Sequence, residues 1–249
     1  MTPIPILKVL STFQRHRVRA LLIGGQACIV YGAVEFSRDT DFVVLVNASN
    51  MKRLRAALAE LQAEPVFFPP LTAQHLRRGH ACHFRCTATE VVGMRVDLMT
   101  KLRGCESFEQ LWRRRLTIRL PDGGPVDVIG LRDLVACKKT QRDKDWFMLR
   151  RLVERDLAAH RDHPAGGQVL WWLHECCTPA LLRELAASYP AIARRAVRAR
   201  PLLSHALAGD EQALTKALLE EESTERERDR AYWKPLRAQL EVMRKGRQR

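Results

Sequence analysis

Phe42 to Val46 is an unbroken apolar run, and two aspartates, Asp39 and Asp41, stand two residues apart at its mouth. A short run with no polar alternation reads as a strand buried on both faces, inside a sheet flanked by helices. Residues two apart on a strand project to the same side, so both carboxylates aim at one point as the chain enters this strand. Two like charges held together repel unless a cation sits between them. The apolar strand gives that charged pair a rigid, buried base.

A third acid lies in Met94-Arg95-Val96-Asp97-Leu98-Met99, a second strand pattern that is otherwise largely apolar. A charge in such a strand is costly unless it is paired or bound to metal; the bland alternative is a surface acid on an edge strand. If this strand neighbours the first, Asp97 joins Asp39 and Asp41. Hard oxygen donors of this kind suit Mg²⁺, one ion or two, which takes one or two carboxylates together with substrate phosphates. Gly24-Gly25 follows the apolar run Ala20 to Ile23 and precedes a helix expected over Gln26 to Gly32. A Gly-Gly turn at a helix start lets backbone N–H groups approach phosphate oxygens, although turns of every kind use glycine.

The remaining pattern supplies the frame. A helix is expected over Ile6 to His16 and an amphipathic one over Ser49 to Gln62, capped by Asn47 or Ser49. Pro65 to Leu71 reads as a Pro-rich connection. Strands are expected around 81–88 and 94–99, then at 116–120 and 126–129 about an Asp122-Gly123-Gly124 turn. Glu106 to Arg115 looks helical, and from Leu131 the pattern is helical almost to the end. His160 to Gln168 is the best linker candidate. Thr178-Pro179 and Asp210 read as helix starts. The fold class is therefore α+β: a mixed β-sheet core flanked by helices over residues 1–159, then a helical C-terminal region over 168–249.

Composition narrows the setting. The net charge of +14 is uneven: residues 1–150 hold 24 Lys/Arg against 14 Asp/Glu. A basic excess beside a carboxylate cluster favours nucleotides, RNA or DNA as partners, while an arginine-rich background would produce the same surface. The apolar runs are too short to span a bilayer, and Met-Thr-Pro-Ile-Pro lacks the order of a secretory signal; the expectation is a cytoplasmic protein without a membrane partner. Seven scattered cysteines make a poor disulfide framework. His80, Cys82, His83 and Cys86 invite a zinc reading, but no second Cys/His pair stands at ligand spacing. Alternation favours a strand with Cys82, Phe84 and Cys86 on one face; His80 and His83 either approach the acids or cap a strand, the second being the preferred reading. Trp171-Trp172 reads as helical core rather than a stacking platform.

The stretch Gly24-Gly25-Gln26-Ala27 … Gly32 … Ser37-Arg38-Asp39-Thr40-Asp41 resembles the nucleotidyltransferase superfamily related to DNA polymerase beta. It is most similar to the bacterial branch that includes toxins of the AbiEii type and minimal nucleotidyltransferases. The resemblance implies that Gly24 and Gly25 bind a nucleoside triphosphate, with Ser37 and Arg38 beside them, and that Asp39, Asp41 and Asp97 are the catalytic, Mg²⁺-binding acids. A second similarity runs from Leu131 to Trp146, where Lys138, Lys139 and Arg142 would contact phosphates; the plain reading of those cations is a solvated helix face. Glu35 and Ser37 stand where the branch often has Arg-x-Thr, and Thr40 where an apolar residue is commoner. The implied activity is Mg²⁺-dependent transfer of a nucleoside monophosphate to a hydroxyl on RNA or tRNA, a protein or a small molecule, as a housekeeping enzyme or as a toxin with an antitoxin-like protein partner. The alternative is a catalytically degenerate module of the same fold that binds nucleotide or nucleic acid.

Overall fold

The computed structural model describes residues 5–34, 37, 39–119 and 124–247. They divide into two compact units, one built from residues 1–137 with 232–249 and the other from 138–231.

The first unit is α+β. Its seven-stranded mixed sheet runs β3-β4-β5-β2-β1-β7-β6, with β1 at Ala20–Ile23, β2 at Asp39–Val44, β3 at Ala63–Pro65, β4 at Cys82–Cys86, β5 at Arg95–Met99, β6 at Leu116–Arg119 and β7 at Pro125–Val128. β2 pairs parallel with β5 and antiparallel with β1; β1 pairs parallel with β7, and β3–β4, β4–β5 and β6–β7 are antiparallel. The strands with unbroken apolar runs, β1 and β2, take central places, where Leu21, Val43 and Val44 are fully buried.

The helices of this unit cover the sheet through their apolar stripes. α1, Pro5–Arg15, buries Val9, Leu10 and Phe13, and the Phe13 ring stacks on Phe42 at 4.5 Å between centroids. α2, Gly24–Val30, follows β1 directly. α3, Ala48–Glu60, starts at Asn47, whose side chain accepts from the Asn50 N–H, and buries Met51, Leu54 and Leu58. Buried Asn50 then joins three segments: its Oδ1 accepts from the Arg19 N–H, and its Nδ2 donates to the carbonyls of Arg19 and Leu45.

Two elements on either side of the expected connection over residues 65–71 had no counterpart in the sequence expectations. β3 has three residues, ends in proline and pairs on one side only, so it carries no alternation to read. α4, Ala73–Arg78, buries Leu76 alone; its signals are the ends, where the Thr72 side chain accepts from the His75 N–H and Gly79 closes the helix at φ +99°. α5, Phe108–Arg113, and α6, Leu131–Cys137, complete the elements up to residue 137. β4 buries Cys82, Phe84 and Cys86 on one face. Burial pushes the thiols of Cys82 and Cys86 up to about 11, which opposes the thiolate form a metal needs.

The second unit is helical: α7 at Asp143–His160, α8 at Gln168–Glu175, α9 at Pro179–Ser188, α10 at Pro190–Ala196, α11 at Leu203–Ala208 and the start of α12, Glu211–Arg247. Residues 161–167 connect α7 to α8 within this unit. Trp172 is wholly buried and donates to Asp156. Arg200, also buried, donates to the carbonyls of Leu173 and Cys176 and pairs with Glu221. Among the described residues no helix is long and apolar enough to cross a membrane.

Candidate active site

Strand register gathers the acids. In the parallel β2–β5 pair, Asp39 stands opposite Arg95 and Asp41 opposite Asp97. In the antiparallel β4–β5 pair, His83 stands opposite Asp97. Because alternate residues share a face, Asp39, Asp41, Arg95, Asp97 and His83 all belong to one face of three adjacent strands.

The glycines close this cluster on the β1 side, where Ile23 pairs with Asp41. Gly24 takes φ +67°, and a Cβ there would fall 2.0 Å from Oδ2 of Asp41. A Cβ on Gly25 would fall 2.4 Å from Oγ of Ser37. Each glycine thus lets a polar side chain lie directly against the chain. Ser37 is held in turn by Gln26, whose Nε2 donates to the Ser37 carbonyl at 2.7 Å. Thr40, between the two acids, faces the other way; it is buried and reaches the Met94 sulfur at 3.6 Å.

Asp97 is the best-enclosed acid, with a side chain 10% exposed against 44% for Asp39. Arg95 Nη2 donates to Asp97 Oδ2 at 2.9 Å, and its Nη1 lies 3.9 Å from Asp39 Oδ2. His83 Nδ1 comes to 2.9 Å from Asp97 Oδ1, yet the two atoms are not aligned as a hydrogen bond. His83 Nδ1, Asp97 Oδ1 and Arg95 Nε are all buried without an aligned partner.

These facts decide how well a divalent cation fits. In favour stand the buried, unaligned Oδ1 of Asp97 and the Gly24 cradle around Asp41. Against a preformed cage, the described residues gather no group of three His, Cys, Asp or Glu side chains at metal-holding geometry, and Arg95 takes the gap between Asp39 and Asp97. As the described residues stand, the three acids form no assembled cation site.

Arg38 lies outside the described residues. Lys138, Lys139 and Arg142 belong to the second unit, and all three lie against carboxylates there. Lys138 is buried with its Nζ 2.8 Å from Asp145 Oδ1, Lys139 lies 2.8 Å from Glu175 Oε2, and Arg142 Nε donates to Asp145 Oδ2 at 2.7 Å. Burial alone would raise the Asp145 carboxyl, but Lys138, Arg142 and Thr140 together hold it below the ordinary carboxylate range.

Arg95 escaped the sequence reading, which allowed His83 to approach the site but preferred it as a strand cap. The signals were present: Arg95 is two residues before Asp97, hence on its face, and His83 alternates with Cys82 and Phe84, hence points away from the buried side of β4.

No known family and no curated protein matches this sequence. Among solved structures, the chain is similar to a candidate nucleotidyltransferase from H. pylori at 11% identity and a TM-score of 0.41, covering 92% of this chain and 94% of that one. It is also similar to JHP933 from Helicobacter pylori at 12% identity and a TM-score of 0.40, covering 94% of each chain. Likeness at this distance assigns no residue a role.

Proposed function

We propose that this protein is a nucleotidyltransferase that moves a nucleoside monophosphate from a nucleoside triphosphate to a hydroxyl acceptor. One observation carries the reading: Asp41 and Asp97 stand side by side on adjacent parallel strands, with Gly24 leaving no space between the β1–α2 turn and Asp41.

The acceptor oxygen attacks the α-phosphorus, the bond from that phosphorus to the bridging oxygen breaks, and pyrophosphate leaves with its electron pair. In this reading Asp97 takes the proton of the attacking hydroxyl, which is supported by its enclosed Oδ1 having no aligned donor. Asp39 and Asp41 are the residues that would hold Mg²⁺, which when bound would supply neutralising charge to the phosphates. Gly24 and Gly25 allow close backbone approach to the phosphates. Arg95, released from Asp39 and Asp97, is a cation within reach of the same anionic groups.

A second reading, a non-catalytic module of this fold that binds nucleotide or nucleic acid, is favoured by the Arg95 guanidinium between Asp39 and Asp97. A protein cation in the metal's place neutralises the acids without preparing them for chemistry.

Thermal unfolding with each ribonucleoside triphosphate, with and without Mg²⁺, separates the two. A ligand at about 100 times its dissociation constant stabilises by about 2.7 kcal/mol. A Mg²⁺-dependent rise in melting temperature that is lost in Asp41→Ala, with pyrophosphate release lost in Asp97→Ala, supports transfer. A metal-independent rise without pyrophosphate release removes it in favour of the binding module, and pyrophosphate release unchanged in Asp41→Ala removes the site assigned to it. Growth arrest on expression that needs Asp39 would add the toxin-type role that the resemblance implies.

A further inference from the structure

α7 turns one of its faces outward with a composition unlike the rest of its surface. Lys144, Phe147, Arg151 and Arg155 recur at intervals of three and four residues, so they fall on one side of the helix. All four are exposed, Phe147 by 54%. They span about 16 Å along the axis at 1.5 Å per residue. The opposite side, carrying Trp146, Leu149, Leu152, Val153 and Leu157, is buried.

The acids of the same helix are committed elsewhere. Asp145 is buried against Lys138, Thr140 and Arg142. Asp143 accepts from Arg226, Glu154 from Thr178, and Asp156 from Gln168 and Trp172. Arg150, on the flank, is paired with Glu222. Lys144, Arg151 and Arg155 make no ion pair among the described residues, and the Arg151 guanidinium lies 5.5 Å from the centroid of the Phe147 ring. The outward face therefore carries three cations around one aromatic ring, and none of the three makes an ion pair among the described residues.

We propose that this face of α7 binds single-stranded nucleic acid, with Phe147 stacking on a base and Lys144, Arg151 and Arg155 meeting the phosphates on either side. An exposed ring flanked by a guanidinium offers a base a π-face of matching size beside a cation. Cations spaced along the helix match a polyanion that extends along the same line. An anionic membrane is the weaker match: the apolar side of α7 is already spent in the core, leaving one ring to insert, where interfacial helices use a broad apolar face.

Anisotropy of a labelled twelve-residue oligouridylate, titrated with the full chain without triphosphate, tests this. Phe147→Ala is expected to weaken binding about tenfold, the loss typical of one stacked base. Arg151→Ala and Arg155→Ala are each expected to reduce the slope of log affinity against log salt by about 0.7. Arg194→Ala with Arg195→Ala, exposed cations on α10 of the same unit, should leave both quantities unchanged. All these side chains are exposed, so melting curves should match the wild type and keep the comparison valid. Wild-type affinity in Phe147→Ala, an equal loss from the α10 pair, equal affinity for a duplex of the same length, or binding to phosphatidylserine vesicles in place of the oligomer would each overturn the proposal. Asp41→Ala should bind the oligomer normally, so this surface and the transfer chemistry can fail separately.

Discussion

Asp41 and Gly24 constrain each other: the carboxylate occupies the volume a side chain on Gly24 would need, and Gly24 sits in the left-handed region at φ +67°. Gly24→Ala combines backbone strain with a contact that must push Asp41 aside. A loss of about 1–3 kcal/mol in chemical denaturation is expected, together with loss of any Mg²⁺-dependent nucleotide stabilisation. Full nucleotide stabilisation in this variant would show that Asp41 need not lie where it does. The glycine pair was legible in the sequence as a turn and as a phosphate approach, but the steric reason was not. Which side chain fills the missing Cβ space depends on a strand that arrives fifteen residues later.

At the scale of elements, α3 and the central sheet are joined by a polar group rather than by apolar packing alone. Asn50 satisfies one backbone N–H and two carbonyls at the edges of β1 and β2, and it is 2% exposed. Replacing it with leucine keeps the volume but strands those three backbone groups, each worth about 1–3 kcal/mol when buried and unpaired. Asn50→Leu should therefore lose at least about 2 kcal/mol by denaturant melting; a variant as stable as the wild type would mean that water replaces the side chain without cost. Most elements were legible: β1, β4, β5 and the helices α1 and α3 lie close to where apolar periodicity places them. β2 begins earlier than its apolar run, at Asp39, because pairing with β5 extends the ladder into the charged residues. β3 and α4 were missed because one is a three-residue edge and the other buries a single leucine, too little for any period.

Over the whole molecule, pH should act through Asp145, whose carboxyl is wholly enclosed with Lys138 and held below its unfolded value by the cations around it. A depressed carboxyl contributes stability that is fully present above its unfolded value, about 3.9, and is lost as pH falls through its folded value. Stability is therefore expected to decline below about pH 4, and protonation of other carboxylates raises the net charge above +14, adding repulsion in the same direction. Asp145→Ala should cost about 3–5 kcal/mol at pH 7 by taking a buried carboxylate partner from Lys138, and the difference from wild type should shrink toward pH 3. A constant difference across that range would show that the carboxyl is not titrating with unfolding.

The sequence by itself determined the α+β class, the apolar centre of the sheet and the pairing of acids on a shared face, because period-two alternation and apolar runs are local properties of the chain. It also marked Asp97 as an acid that needs a partner. Only the tertiary structure decided which partner. The parallel register of β2 and β5 places Asp41 beside Asp97 and Asp39 beside Arg95, and the antiparallel arrival of β4 adds His83. It likewise decided that Lys138, read from the sequence as a phosphate contact or a solvated cation, pairs with a buried carboxylate. Register and burial arise from contacts between residues dozens of positions apart, and no spacing within one segment encodes them.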